Sequence, residues 1–212
     1  MASGLPGRAS AQDGRPPVLV EGTNVVLREK RVEDAAEDYA WRCDPELAAF
    51  DAVPALRMAW EDYLRIYKEE LRYPPPRQRT LSIEDRQGKH IGNCMYYDVD
   101  EAKGEAELGI MIGLREYWNL GYGRDAVATL LGHIFETTQL NRIYLHTLTW
   151  NARAQKAFER AGFTPVREVL RNGHNFVLME VSRDQFAMFR DPQGQGRGRS
   201  APAGRDGAGG RR

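Results

Sequence analysis

Residues 105–126 read E-A-E-L-G-I-M-I-G-L-R-E-Y-W-N-L-G-Y-G-R-D-A, and the reading of this stretch decides the fold. Its first part, Ala106 to Ile112, is an apolar run with Glu107 and Gly109 set into it, the pattern of a strand. Gly109 marks a bulge or a close backbone approach. A loop from Gly113 to Tyr117 follows. Trp118 to Arg124 then carries Gly121 and Gly123, and the apolar spacing from Asp125 to Leu131 is helical. A strand therefore feeds a glycine-bearing turn that opens a helix. The free amides and positive dipole end of such a helix suit an anion, and the glycines let its oxygens approach the backbone. A diphosphate fits these requirements.

The turn is not a Rossmann fingerprint, because the third glycine is missing, and it is not a P-loop, because no G-K-[ST] follows. A second stretch bears on it. Residues 151–163, N-A-R-A-Q-K-A-F-E-R-A-G-F, form a capped helix, with Asn151 as N-cap and Gly162 as the left-handed residue past the end. The first stretch resembles the acetyl-CoA motif of the GCN5-related N-acetyltransferases, [R/Q]-x-x-G-x-[G/A], with Trp118 where the arginine or glutamine usually stands. The second resembles that family's N-x-x-[AS]-x-x-x-[YF]-x-[KR]-x-G-F, matched at Asn151, Ala154, Phe158, Arg160, Gly162 and Phe163. The two occur in the family's order, and the resemblance covers residues 22–185. Trp118 preceded by Tyr117 resembles the branch of ribosomal-protein N-terminal and spermidine acetyltransferases.

The 212 residues suffice for one domain with a sizeable core. Thirty basic residues balance thirty acidic ones, which argues against a dedicated nucleic-acid binder or a strongly charged membrane-surface protein. No apolar run approaches a membrane span and no signal-peptide core is visible, so a cytoplasmic location is expected. Two cysteines, Cys43 and Cys94, lack disulfide or metal spacing, and no metal is expected. Cys94 reads as a small buried residue rather than a nucleophile.

Composition assigns residues 1–20 to a disordered lead-in, 21–189 to the acetyltransferase domain and 190–212 to a disordered glycine- and arginine-rich tail. Within the domain, Val25 to Arg28 reads as a strand, Val32 to Ala40 as a helix ended at Cys43-Asp44-Pro45, and Met58 to Leu71 as a second helix. Thr80 to Glu84, His90 to Val99 and the strand from Glu105 read as an antiparallel meander. Arg142 to Leu148 is expected parallel to the Glu105 strand through a right-handed crossover. Thr164–Leu170 and Phe176–Val181 form a hairpin turned at Asn172-Gly173, and Gln185 to Phe189 a helical turn. The resemblance implies a GNAT-type α/β fold. This is a mixed, mostly antiparallel twisted sheet of about seven strands with one splayed parallel pair, flanked by about four helices.

It also implies direct transfer of acetyl from acetyl-CoA to a primary amine. The expected cosubstrate site comprises Trp118, Asn119, Leu120, Gly121, Tyr122, Gly123 and Arg124 at the diphosphate, Ile110, Met111 and Ile112 along the pantetheine arm, and Asn151 and Phe158 from the second motif. The backbone amide of Ile110 is the expected oxyanion donor. Glu107 is the expected base, on the same strand face as Gly109 and Met111, with His146 as second candidate. Against both stands a purely packed or ion-paired role. Arg115 and Arg124 could add charge or face solvent. Many relatives carry tyrosine at the position of Phe158, whose hydroxyl protonates the leaving thiolate; phenylalanine has none to give. The acid then comes from Tyr117, Tyr96 or water, or the thiolate leaves unprotonated.

Asp44, Glu46 and Asp51 are candidates to receive a cationic amine or are plain surface acids. Trp41, Trp60, Tyr96 and Tyr97 form an aromatic wall or ordinary core. The expected acceptor is a ribosomal-protein-like N-terminal α-amine, with a polyamine or aminoglycoside-type amine next, in a monomer or homodimer. The alternative is a non-catalytic acyl-CoA-binding module, suggested by Phe158.

Overall fold

The computed structural model describes residues 18–191, and the remainder of the expected lead-in and tail lies outside the described residues. Eight strands form one sheet: β1 (Val18–Glu21), β2 (Val25–Glu29), β3 (Arg79–Asp85), β4 (His90–Asp100), β5 (Glu105–Ile112), β6 (Arg142–Leu148), β7 (Thr164–Arg171) and β8 (His174–Ser182). Their spatial order is β1-β2-β3-β4-β5-β6-β8-β7. Every neighbouring pair is antiparallel except β5 and β6, the expected parallel pair. Six α-helices are α1 (Ala35–Cys43), α2 (Pro45–Phe50), α3 (Trp60–Arg72), α4 (Tyr122–Thr137), α5 (Ala152–Glu159) and α6 (Arg183–Arg190). Among the described residues no helix is long and apolar enough to cross a membrane.

The extra elements have local causes. β1 is the short run V-L-V-E between Pro17 and Gly22, straddling the boundary at residue 20 between the expected lead-in and the domain, and it pairs with β2. The Asp125 carboxylate accepts the amides of Thr23, Asn24 and Val25, which ties the β1–β2 turn to the first turn of α4. Asp44-Pro45 does end α1, but it also starts α2. The Asp44 carboxylate caps the amides of Glu46 and Leu47, and proline suits the first helical position. The connection between the two expected helices is therefore itself helical as far as Phe50.

Strand alternation gives the sheet two different faces. Leu27, Leu81, Ile83, Cys94, Ala106, Leu108, Ile143 and Leu145 share one core with Ala126, Val127, Leu130, Leu131 and Ile134 of α4. The other face of β2 and β3 is polar. Arg28 and Asp34, both buried, form a two-pronged ion pair at 2.7 and 2.8 Å. Ser82 donates to Asp34 at 2.7 Å, and Glu84 takes the Arg28 Nε–H at 2.6 Å. Asn93 bonds both Asp38 and Lys30, and the Tyr67 hydroxyl donates to Asp38 at 3.0 Å. This network holds α1 and α3 on the sheet by groups whose donors and acceptors are matched.

Burial alone would raise the Asp34 carboxyl, but the hydrogen bonds from Arg28, Ser82 and the Arg31 amide outweigh it and hold the group well below the usual carboxylate range. A depressed folded pKa contributes stability that is fully present above the unfolded value of 3.8 and is lost as pH falls below it. Asp34→Ala removes the two-pronged partner of the buried Arg28 guanidinium and leaves Glu84 as its one carboxylate. It is expected to cost about 3–5 kcal/mol in urea unfolding at neutral pH. The gap from the parent should shrink as pH drops below 3.8.

Candidate active site

The site begins where β5 and β6 part. Glu105, Ala106 and Glu107 are in register with Arg142, Ile143 and Tyr144, and the parallel pairing stops there. Beyond that point β5 stays with β4 as far as Ile112, while β6 stays with β8 as far as Leu148. Each strand follows its outer neighbour, and a wedge opens between them. The end of β5 passes directly under Trp41: a Cβ on Gly113 would lie 2.1 Å from the indole Cδ2, so this position must be glycine. A cavity of about 1790 Å³ occupies the wedge, lined by Gly109 to Ile112 on one side and Leu145 to Thr147 on the other. β4 and β5 keep register through Gly109, so no bulge lies there. Its side-chain space is instead taken by Met95 and Tyr97.

At one end of this cavity α4 opens. Gly121 takes φ 90°, ψ −5°, a left-handed N-cap that favours glycine, and Asn119 before it also has positive φ. A Cβ on Gly121 would meet nothing within 4 Å, so bare backbone faces open space. The amides of Tyr122, Gly123 and Arg124 form the first helical turn, where N–H groups have no intrahelical acceptor. Trp118 donates its indole N–H to the Ile112 carbonyl at 2.8 Å, fixing the loop to the end of β5. Trp118, Asn119, Gly121, Gly123, Arg124, Asn151 and Phe158 all line the cavity with Ile110, Met111 and Ile112. Leu120 and Tyr122 do not: Leu120 is exposed, and Tyr122 packs on Tyr117.

Asn151 caps α5 through the Ala154 amide at 3.2 Å, and Phe158 packs on Phe163. Sequence reasoning missed Arg153, whose guanidinium lies 3.8 Å over the Trp118 ring and 4.9 Å over Phe50. Its place in the first turn of the second motif was the signal. Arg115, in contrast, is neither free nor at the cavity, since it pairs with Asp44 at 2.8 Å and Glu46 at 2.6 Å. That pairing also removes Asp44 and Glu46 as open acceptors of a cationic amine.

Glu107 is buried on the cavity wall, one strand from both Tyr97 and Tyr144. Its Oε1 lies 2.9 Å from Nδ1 of His146 and 3.3 Å from Nη1 of Arg171, a residue of β7. The two candidate bases are thus in contact, and the arginine pairing weighed against Glu107 is present as well. Of the tyrosines expected to supply a proton, Tyr117 donates its hydroxyl to Asp85 at 2.7 Å, and that bond pushes its phenol up to about 12. Tyr96 is absent from the cavity wall, whereas Tyr97 lies on it. Burial, then the neighbouring Glu107 charge, pushes the Tyr97 phenol up, so it stays protonated. Cys94 is fully buried, and burial pushes its thiol up to about 12, consistent with a packing role.

The far lobe of the cavity, toward α3, is lined by Tyr63, Tyr67, Glu70, Met95 and the prolines at 74–76, whereas Asp51 follows Phe50, whose ring packs against Trp118 and under Arg153. Trp60 belongs to a separate cluster with Tyr39 and Tyr63. Asp51 closes α2 on the cavity wall with its side chain open to solvent.

Residues 24–164, more than half of the chain, match the family model described as the acetyltransferase (GNAT) domain. An uncharacterized N-acetyltransferase p20 of Bacillus licheniformis is 27% identical over 120 residues, 56% of this chain and 67% of that protein. A probable spermine N(1)-acetyltransferase of Bacillus subtilis subsp. natto is 28% identical over 100 residues, 45% of this chain and 66% of that protein, just under two thirds of its length. The crystal structure of spermidine N-acetyltransferase from Vibrio cholerae, in complex with CoA and spermine, superposes with a TM-score of 0.69 at 19% identity. The match covers 78% of this chain and 99% of that one, and it establishes the likeness of fold.

Proposed function

This chain belongs to the GNAT acetyltransferase family, and we propose on that premise that it moves acetyl from acetyl-CoA directly to a primary amine of a small cationic acceptor. One observation carries the reading. The parallel pair splits immediately after Glu107, which opens a wedge lined by Ile110 to Ile112 that continues to the glycine-opened end of α4. A strand edge turned toward a groove offers backbone groups to the amides of an extended arm. Helix amides flanked by bare glycine backbone offer the fit for a diphosphate. In this reading the amides of Gly121 to Arg124 hold the diphosphate with Arg124 and Arg153 nearby, and Ile110 to Ile112 take the pantetheine arm. The Ile110 amide meets the thioester oxygen as negative charge develops on it.

Charge is divided along the cavity in a way that suits this orientation. Arg124, Arg153, Lys156 and Arg160 line the wall near the two motif helices, where phosphate would lie. Glu70 lines the far lobe with Tyr63 and Tyr67 and has no salt-bridge partner among the described residues. A carboxylate and aromatic faces together suit an ammonium-bearing chain. The match to a probable spermine N(1)-acetyltransferase supports the same class. A protein N-terminal α-amine is the second reading and rests on Trp118. Its indole, however, bonds to Ile112 and stacks under Arg153, work that does not depend on the acceptor.

A thiol-release assay with acetyl-CoA against polyamines, aminoglycosides and peptides, with product mass spectrometry, tests this. Turnover is expected with polyamines. Glu70→Gln should raise KM for the amine several-fold, on the order of tenfold, with little change in KM for acetyl-CoA. Gly121→Val, which forces a branched side chain into positive φ at the helix opening, should weaken acetyl-CoA binding at least tenfold by calorimetry. Absence of acetyl-CoA binding by the unaltered chain would defeat the proposal. Turnover confined to peptides would move it to the second reading.

A further inference from the structure

We propose that His146 is the proton carrier of this site, taking the proton from the attacking amine and returning it to the leaving sulfur, with Glu107 and Arg171 as the residues that position and charge it. The inference rests on the acetyl transfer proposed above and concerns a gap in it: Phe158 has no hydroxyl, and Tyr117 is bound to Asp85. His146 stands on β6, across the wedge from Ile110, and lines the cavity.

Two groups compete for one ring nitrogen. Nδ1 lies 2.9 Å from Oε1 of Glu107 and 2.7 Å from Nη1 of Arg171. It either donates to the carboxylate or accepts from the guanidinium, never both. A buried carboxylate needs donors more than an exposed guanidinium needs an acceptor. Glu107 is buried, whereas the Arg171 side chain is 43% exposed and has both carboxylate oxygens within reach, at 3.3 and 3.5 Å. The proposal therefore puts the proton on Nδ1, pointing at Glu107, with the Arg171 N–H turned from Nδ1 onto the carboxylate. Nε2 is left with a lone pair and no hydrogen-bond partner among the described residues. A carboxylate on Nδ1 that leaves Nε2 free to take a proton is the arrangement that makes histidine a base in other enzymes.

Arg171 completes the division of labour. Glu107, held by the guanidinium on one side and the imidazole on the other, orients the ring and lies where it can stabilise an imidazolium. The groups that face His146 are Tyr97 of β4 beyond Glu107, Glu107 of β5, Tyr144 of β6 with its ring 5.9 Å away, Arg171 of β7, and the apolar ring of Phe176 of β8 at 6.2 Å.

The step balances without another reactant. The amine lone pair forms the C–N bond at the thioester carbonyl, and the C–S pair leaves with sulfur. The nitrogen proton passes to Nε2 and then to the thiolate, giving amide and free thiol. One imidazole so performs the work that a glutamate and a tyrosine hydroxyl would otherwise share.

Two measurements on the full chain decide it. Nitrogen-15 NMR of the histidine rings, with His146 assigned by its loss in His146→Gln, should show the Nδ1–H tautomer, shifting toward Nε2–H in Glu107→Gln. An Nε2–H tautomer in the unaltered chain would overturn the inference, and this readout needs no turnover. With spermine and acetyl-CoA, His146→Ala should lose about 100-fold or more in kcat while still binding acetyl-CoA, and added imidazole should restore part of the loss. Glu107→Gln should lower kcat yet keep the acid limb of the pH profile. If His146→Ala keeps most of its rate while Glu107→Gln abolishes it, Glu107 is the base and the inference falls. Acetyl-CoA binding without transfer to any amine would instead defeat the function proposed above, and the tautomer would still decide whether His146 presents its lone pair.

Discussion

The structure depends on a mismatch between two strands that begin as partners. β5 and β6 share three residues of parallel register and then follow different neighbours, β5 held by β4 and β6 by β8. Backbone groups at the centre of a sheet are normally consumed by the ladder. Here a sheet interior leaves one strand edge facing a cavity, and this is tolerable because a groove that admits water or a ligand can satisfy those groups. The packing around the wedge serves to keep it open: Trp41 over Gly113 directs the end of β5, and the Trp118–Ile112 bond anchors the loop that leaves it.

Two kinds of core support that opening. On the α4 side, apolar side chains from six strands are buried with the helix whose N-terminus faces the cavity, so the amides there are fixed by ordinary close packing. On the opposite side the Arg28–Asp34 pair and its partners hold α1 and α3, the helices that wall the far lobe. A matched polar network is more particular about geometry than an oily contact, which suits a wall that must keep one shape.

Charge is arranged to match. Basic residues gather near the opening of α4 and on α5, and Glu70, without a salt-bridge partner among the described residues, stands in the far lobe. Between them Glu107, His146 and Arg171 come from three different strands. Arg171 sits beside the Asn172-Gly173 turn, whose two positive φ values of 49° and 80° set the hairpin that carries it back over Glu107.

Much of this was legible in the chain. The alternation at 105–112, the glycines at 121 and 123 and the Asn151 cap are local signals, each set by interactions within a few residues. The parallel pair followed from chain order and crossover handedness. β1 and α2 escaped notice because a four-residue run is too short to show a period, and because Asp44-Pro45 reads equally as a stop and a start. The contacts that decide the site were not legible. Nothing in sequence spacing says that Glu107, His146 and Arg171 meet, that Tyr97 and not Tyr96 faces the cavity, that Arg115 is taken by Asp44 and Glu46, or that Arg153 lies on Trp118. Sequence alone determined the elements and the family pattern, because hydrophobic period, caps and turns act locally. Tertiary structure alone decided which charges are paired and which are free, because strand order and register bring together residues from distant parts of the chain.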